Sequence, residues 1–207
     1  MGELAERFPL FPLSIVLLPS EILPLHIFEE RYKTMIGECL DEGREFGIVW
    51  LSDDGLKEIG CTAAIAQVLE RMEDGRMNIL VRGTRPFRLL RRIEDMPYPA
   101  GDVEFLDDAE PDAEPDAAEE ARERYADLVE RVTDNRPEGT ELQGLDAYGM
   151  AATIEFALEA KQALLELRGE EARMRMVGEL FEATIQRLEL AEEVSEVARS
   201  NGRVHLR

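Results

Sequence analysis

Of the 207 residues, three are lysine, two histidine, two cysteine and one tryptophan, and each shortage closes a class of chemistry. Lys33, Lys57 and Lys161 follow Tyr, Leu and Ala, so no Gly-Lys step exists and the phosphate-cradling nucleotide loop cannot be built. No two glycines stand one residue apart, which removes the Gly-x-Gly-x-x-Gly dinucleotide fingerprint, and no Gly-x-Ser-x-Gly nucleophile elbow occurs. Cys39 and Cys61 are separated by 22 positions in apolar surroundings and fit neither a disulfide framework nor a zinc motif. They read as buried thiols in a reducing compartment. His26 has no second histidine at metal-ligand spacing, because His205 lies in a tail expected to fray. It reads as a structural or surface residue, with proton transfer beside Glu29 and Glu30 as the alternative. The expectation is a chain with no catalytic residue, no metal and no cofactor.

Long apolar runs are missing too. None reaches the roughly 20 residues of a membrane-spanning helix. The apolar start, Phe8 to Pro19, is preceded by Glu3 and Glu6, interrupted by prolines and followed by no small-residue cleavage site, so it does not read as a signal peptide. The cytoplasm is the expected address.

What is abundant is acid. The formal charge is −21, of which residues 1–100 carry −5 and residues 101–207 carry −16. Such a field repels phosphate backbones and anionic lipid, so neither nucleic acid nor membrane is an expected partner. The carboxylates read as solvated faces, or as a docking surface for a basic partner. Arg82, Arg85, Arg88, Arg91 and Arg92 form a local basic cluster, but strand alternation splits it between two faces, where its members can neutralise neighbouring carboxylates.

The pattern from residue 8 to about 106 favours short strands broken by turns. The first begins at Phe11-Pro12-Leu13, with three prolines nearby that place it at a sheet edge. Ile27, Tyr32, Met35, Ile36, Cys39 and Leu40 recur at helical steps up to Gly43, a C-terminal glycine. Phe46 to Leu51 reads as a buried strand and Ile59 to Arg71 as a longer one; Asp74-Gly75 then supplies a hairpin turn before Met77 to Val81. Gly83 and Pro86 punctuate the exit from that strand, after which Phe87 to Leu90 and Val103 to Leu106 resume strand composition. Ten acidic residues and no basic one fall between Asp102 and Glu120, which reads as a linker or mobile loop. Helices are predicted at roughly 117–134, 145–168 and 170–199, the last with an apolar stripe of Met174, Val177, Phe181, Ile185, Leu188, Ala191 and Val194. Its end, Glu192 to Arg199, is short of large apolar residues and is expected to project into solvent. The expected fold is therefore α+β: an N-terminal, mostly antiparallel β-barrel with one helix, followed by a C-terminal helical lobe ending in a long helix.

Three passages, Phe8-Pro9-Leu10-Phe11-Pro12-Leu13, Leu23-Pro24-Leu25-His26-Ile27-Phe28-Glu29-Glu30-Arg31-Tyr32 and Phe46-Gly47-Ile48-Val49, together resemble the amino-terminal, substrate-binding domain of Lon proteases. Ile59 to Ile65 and Glu73 to Gly83 resemble that family's next two strands in the same order, and Ala160 to Glu166 followed by Arg173 is similar to its helical lobe. The resemblance covers about residues 8–190; Pro86 departs from the basic residue usual there. It implies a PUA-like β subdomain over 8–106, an acidic linker over 107–116 and a helical subdomain over 117–200. It also implies a stand-alone module without the ATPase and protease parts, which binds polypeptide rather than cutting it, as an adaptor or substrate receptor in protein quality control. Its partners would be unfolded or specific client polypeptides and a protease or other protein machine.

An extended peptide needs an open strand edge or an apolar groove; the proline-rich first strand and the junction of sheet and helices are the natural places. Phe28, Tyr32, Trp50 and Phe87 are the candidate anchors, each with core packing as the alternative, and Glu29 and Arg31 would orient the motif through hydrogen bonds or an ion pair. If the Pro-Leu-His-Ile-Phe motif is core, Leu25→Asp unfolds the domain. Two other functions compete. A free-standing peptidase would need a nucleophile, but Ser14, Ser20, Ser52, Ser195 and Ser200 have no Lys or His in a recognised arrangement. RNA binding, suggested by relatives of the barrel, is opposed by the charge.

Overall fold

The computed structural model describes the backbone of residues 2–108 and 116–201, and the side chains of 2–108 and 117–194. In chain order the elements are β1 (Leu4–Leu13), β2 (Ile22–Ile27), α1 (Glu30–Glu42), β3 (Phe46–Ser52), β4 (Gly55–Arg71), β5 (Met77–Ile93) and β6 (Ala100–Phe105). The helices α2 (Asp116–Thr133), α3 (Gly139–Gln143), α4 (Ala147–Ala151), α5 (Leu158–Glu166) and α6 (Glu170–Asn201) follow.

The strands make one sheet in the order β2-β5-β4-β3-β1-β6, and β5 also pairs with β6. That extra pairing closes five strands into a barrel and leaves β2 attached to the outside of the ring. All pairings are antiparallel except β1 with β3. Asp74-Gly75 makes the expected β4–β5 hairpin: Gly75 takes φ 82, a conformation other residues adopt at a cost, and its N–H donates to Met72 O at 3.0 Å.

Two strands differ from their sequence reading. β1 is not an edge strand; it runs between β6 and β3. Its first part, to Pro9, pairs with β6 and its last part, from Leu10, pairs with β3. The Leu10 N–H points to the β6 side, where it donates to Pro99 O at 2.8 Å. By alternation the Pro12 nitrogen faces that side beyond the last β6 pair, and the Pro9 nitrogen faces β3 before pairing begins, so neither proline costs a ladder bond. In β5, Gly83 and Pro86 do not end the strand. A Cβ on Gly83 would lie 2.0 Å from Leu18 O, because the 16–21 strap lies against β5, with Ser20 N donating to Gly83 O and Gly83 N to Glu21 O at 2.9 Å each. Opposite Pro86 the register shifts between Cys61 and Ala63, and the buried Thr62 hydroxyl accepts from Arg85 N at 3.1 Å. A bulge absorbs the missing donor.

Ile27 closes β2 instead of opening the helix; α1 begins at Glu30 and ends, as expected, at Gly43. It buries Tyr32, Met35, Ile36 and Cys39. Burial pushes the Cys39 thiol up to about 11, and burial with a hydrogen bond to Glu38 pushes Tyr98 up to about 12. Both groups hold their protons more tightly folded than unfolded, so the stability they contribute is complete below their ordinary values of 9.0 and 10.0 and is lost as pH rises through about 11 and 12. Thermal midpoints measured along a pH series are expected to stay level up to about pH 8.5 and to fall from about pH 9 to 12. A level profile across that window would contradict the burial of these groups.

The chain divides into two units, one of residues 1–111 with 146–170 and the other of 112–145 with 171–207. The region expected as one helix over 145–168 is two, α4 and α5, interrupted where the Thr153 and Ile154 amides donate to Met150 and Ala151 in tight turns. Both belong with the barrel. Lys161 Nζ reaches Glu21 Oε1 at 2.7 Å, Gln162 Nε2 donates to Ile59 O at 3.2 Å, and Leu164 and Leu165 are buried, so the Ala160–Glu166 segment clamps α5 onto this unit. In the second unit α2 and α6 run parallel, with Arg124 to Glu182 at 3.1 Å and Arg131 to Glu189 and Glu192 at 2.8 Å. The expected stripe on α6 is buried at Met174, Val177 and Phe181, half-buried at Ile185 and Leu188, and exposed at Ala191 and Val194. Glu192 to Val194 are exposed, whereas the side chains of 195–199 and most of the acidic linker, 109–115, lie outside the described residues.

Candidate functional site

In β2 alternate residues turn opposite ways: Ile22, Pro24 and His26 are exposed, Leu23 and Leu25 half-buried and Ile27 fully buried. The backbone alternates with them. Glu21 O accepts from β5, so the amides and carbonyls of Leu23, Leu25 and Ile27 face β5, and those of Ile22 and His26 face outward. On that side β2 pairs with no strand among the described residues. The Pro24 nitrogen points the same way and removes one donor from the middle of the open edge, which restrains indiscriminate pairing without closing it.

Beside this edge lies a shallow cavity of about 560 Å³ lined by Pro24, Leu25, His26, Leu69, Glu70, Asn78 and Ile79. Three large apolar side chains stand out around it: Phe28 is 59% exposed, Leu69 51% and Ile22 46%. Phe28 is held by a polar neighbour. Asn78 Nδ2 donates to Glu70 Oε2 at 2.9 Å, so its Oδ1 is the acceptor for His26 Nδ1–H at 2.7 Å. The imidazole thus fixed stacks on Phe28, with ring centroids 5.8 Å apart. His26 is a positioning group for an exposed aromatic ring. Leu69 and Ile22 carry no motif, and only the alternation along β4 and β2 could have singled them out.

The other candidate residues are dispersed. Tyr32 is buried against Phe11, ring centroids 4.0 Å apart, and shows one rim with Arg31 in a separate groove of about 690 Å³. Its hydroxyl is held above the ordinary tyrosine range, chiefly by burial. Glu29 and Arg31 form an ion pair at 2.8 Å, and the guanidinium lies 4.6 Å from the Tyr32 ring centre. Trp50 is half-buried in a third pocket, and Phe87 is fully buried in the barrel core. Phe28 is therefore the one candidate aromatic residue at the β2 edge. Of the clustered arginines, Arg85 pairs with Glu3 at 2.9 Å and Arg91 with Asp102 at 2.6 Å, and the latter contact holds the Asp102 carboxyl below the usual range.

Nothing in this arrangement resembles a nucleophile with its base. Ser52 Oγ donates to Gly55 O at 2.9 Å, and His26 is engaged by Asn78. Among the described residues no group of three His, Cys, Asp or Glu side chains could hold a metal, and no helix is long and apolar enough to cross a membrane. An open strand edge beside exposed apolar side chains instead suits an extended chain.

Comparison with known proteins gives the same fold. The crystal structure of a Lon N-terminal domain protein from Xanthomonas campestris superposes with a TM-score of 0.65 at 24% identity, covering 84% of this chain and 97% of that one. The N-terminal domain of a Mycobacterium avium complex Lon protease gives 0.64 at 20% identity, with 86% and 98% covered. Lon protease 2 of Myxococcus xanthus is 24% identical over 209 residues, and a Lon protease of Paraburkholderia phytofirmans 26% over 210. These alignments take in 93% and 94% of this chain, which spans only about a quarter of the length of each of those relatives, 25% and 26%. The profile of the ATP-dependent protease La (LON) substrate-binding domain matches residues 7–183, and the chain belongs to that family.

Proposed function

We propose that this chain is a non-catalytic receptor for polypeptide, acting in the cytoplasm as an adaptor or substrate receptor for a protease or other protein machine. Clients add an extended, apolar segment along the open edge of β2. The observation that carries this reading is the unpaired edge itself, flanked by Ile22, Phe28 and Leu69 in a member of a substrate-binding family. Backbone pairing supplies affinity that is largely independent of sequence, and the apolar side chains select exposed hydrophobic segments, which folded proteins hide.

The test is fluorescence anisotropy of a labelled, permanently unfolded polypeptide titrated with the protein, without ATP, with the folded form of the same polypeptide as control. Saturable binding of the unfolded form alone is expected. Equal binding of both forms, or none at hundreds of micromolar, would remove the proposal.

A further inference from the structure

A second site is lined by residues other than those at the β2 edge. Between the β3–β4 turn and α5 lies a pocket of about 330 Å³ lined by Trp50, Asp53, Asp54, Lys57, Glu159, Gln162 and Glu166, among others. Four of these are carboxylates and one is a cation. Asp53, Asp54 and Glu159 make no ion pair among the described residues, and α5 has no basic residue in its last turn, so Glu166 adds its charge to the negative end of the helix dipole. The one resident cation is loosely placed: Lys57 Nζ lies 5.5 Å from the indole centre, near the outer limit of a cation–π contact.

Gln162 gives the pocket a direction. It is 5% exposed, and its Nε2 donates to Ile59 O at 3.2 Å and to Glu166 Oε1 at 3.0 Å. Turning the amide over would set oxygen against oxygen twice, so the orientation is fixed. Its Oε1 is buried and accepts no hydrogen bond among the described residues. A buried acceptor, an indole face and surplus carboxylates are together complementary to a flat cation with several donors.

We infer that this pocket binds an arginine side chain of a partner polypeptide, its guanidinium stacked on Trp50 and hydrogen-bonded to the rim carboxylates, and that Gln162 Oε1, closed to solvent here, meets it once that side chain shifts outward. An ammonium group is a compact point charge and cannot stack and donate in one plane, so lysine is the poorer occupant. The inference rests on the reading of the chain as a polypeptide receptor only for the source of the arginine.

Trp50 is the sole tryptophan, so its emission reports the pocket directly. The whole protein is titrated with N-acetyl-Gly-Arg-Gly-amide, its lysine counterpart and its neutral citrulline counterpart, with calorimetry on the same solutions. The arginine peptide should bind saturably with a Kd of ~1 mM, several-fold tighter than the lysine peptide and at least ~10-fold tighter than the citrulline peptide. Asp54→Asn with Glu159→Gln, both exposed positions, should abolish binding with an unchanged melting temperature, and Lys57→Ala should tighten it by removing a competitor. Equal affinity for citrulline or lysine, or neither emission change nor heat, would overturn the inference. Unfolded-polypeptide binding by the same double variant, read by anisotropy, separates the two sites: its retention with loss of arginine binding places them apart, and loss of anisotropy binding alone in Phe28 variants leaves the arginine pocket standing.

Discussion

Phe87→Ala is expected to destabilise the barrel unit by about 3–5 kcal/mol and to lower its thermal midpoint by roughly 6–20 °C. Phe87 is fully buried among Leu10, Val49, Val103 and Phe105, with Phe8 packed edge-on at 5.9 Å. The ring occupies space that two glycines leave open: a Cβ on Gly47 would lie 2.6 Å from Phe87 Cζ and one on Gly60 2.8 Å from it. Truncation therefore opens a void that the facing strands have no side chain to fill. The two glycines also separate predictions. A methyl at Gly60 would still meet Ile48 O at 2.5 Å after the ring is gone, whereas at Gly47 the next neighbour is the flexible Leu10 Cδ2 at 3.0 Å. Gly47→Ala should thus be harmful in the parent and partly restorative in the Phe87→Ala background, a coupling that a double-mutant cycle followed by urea denaturation would measure. Additive effects would show that the ring does not fill that space.

Phe28→Asp should weaken capture of an unfolded polypeptide by roughly 10- to 30-fold, the effect of losing a central aromatic anchor, while the melting temperature moves by no more than about 1 °C. The ring is more than half exposed and rests on His26, so its replacement opens no cavity. His26→Ala, which leaves Phe28 in place but removes the surface it stacks on, should give a smaller loss. Anisotropy titrations of both variants, paired with thermal melts, decide the matter. Parent-like affinity in Phe28→Asp would move the binding surface away from β2.

These two phenylalanines show how far the sequence could be read. Both stand in strand-like or motif-rich segments, and nothing local distinguishes the ring in the core from the ring in solvent; the closed barrel does. What local chemistry decides was legible: the Asp74-Gly75 turn, the end of α1 at Gly43, the buried run of β3. What depends on distant chain was not. Gly83 and Pro86 look like breaks until Leu18 O and the Thr62 bulge are set against them. Prolines in β1 look like an edge until two partners share the strand. The apolar spacing through Ile27 continues the period of α1, which hid the β2 strand that carries the proposed site. The arginine pocket joins Asp53 and Asp54 to Glu159 and Glu166, about a hundred positions on, and no spacing rule links them.

The assignment of residues 146–170 to the barrel unit has a consequence for modularity. The chain crosses from one unit to the other three times, after 111, 145 and 170, so neither unit is a single stretch of sequence. A gene fragment ending near residue 111 would encode every strand yet lack Lys161, the partner of Glu21, and Gln162, the donor to Ile59 O. Recombination cannot transplant the barrel with one cut unless the second unit's 112–145 segment travels with it. A single cut that keeps the barrel unit complete falls after residue 170, not where the strands stop, and it carries 112–145 along as a passenger.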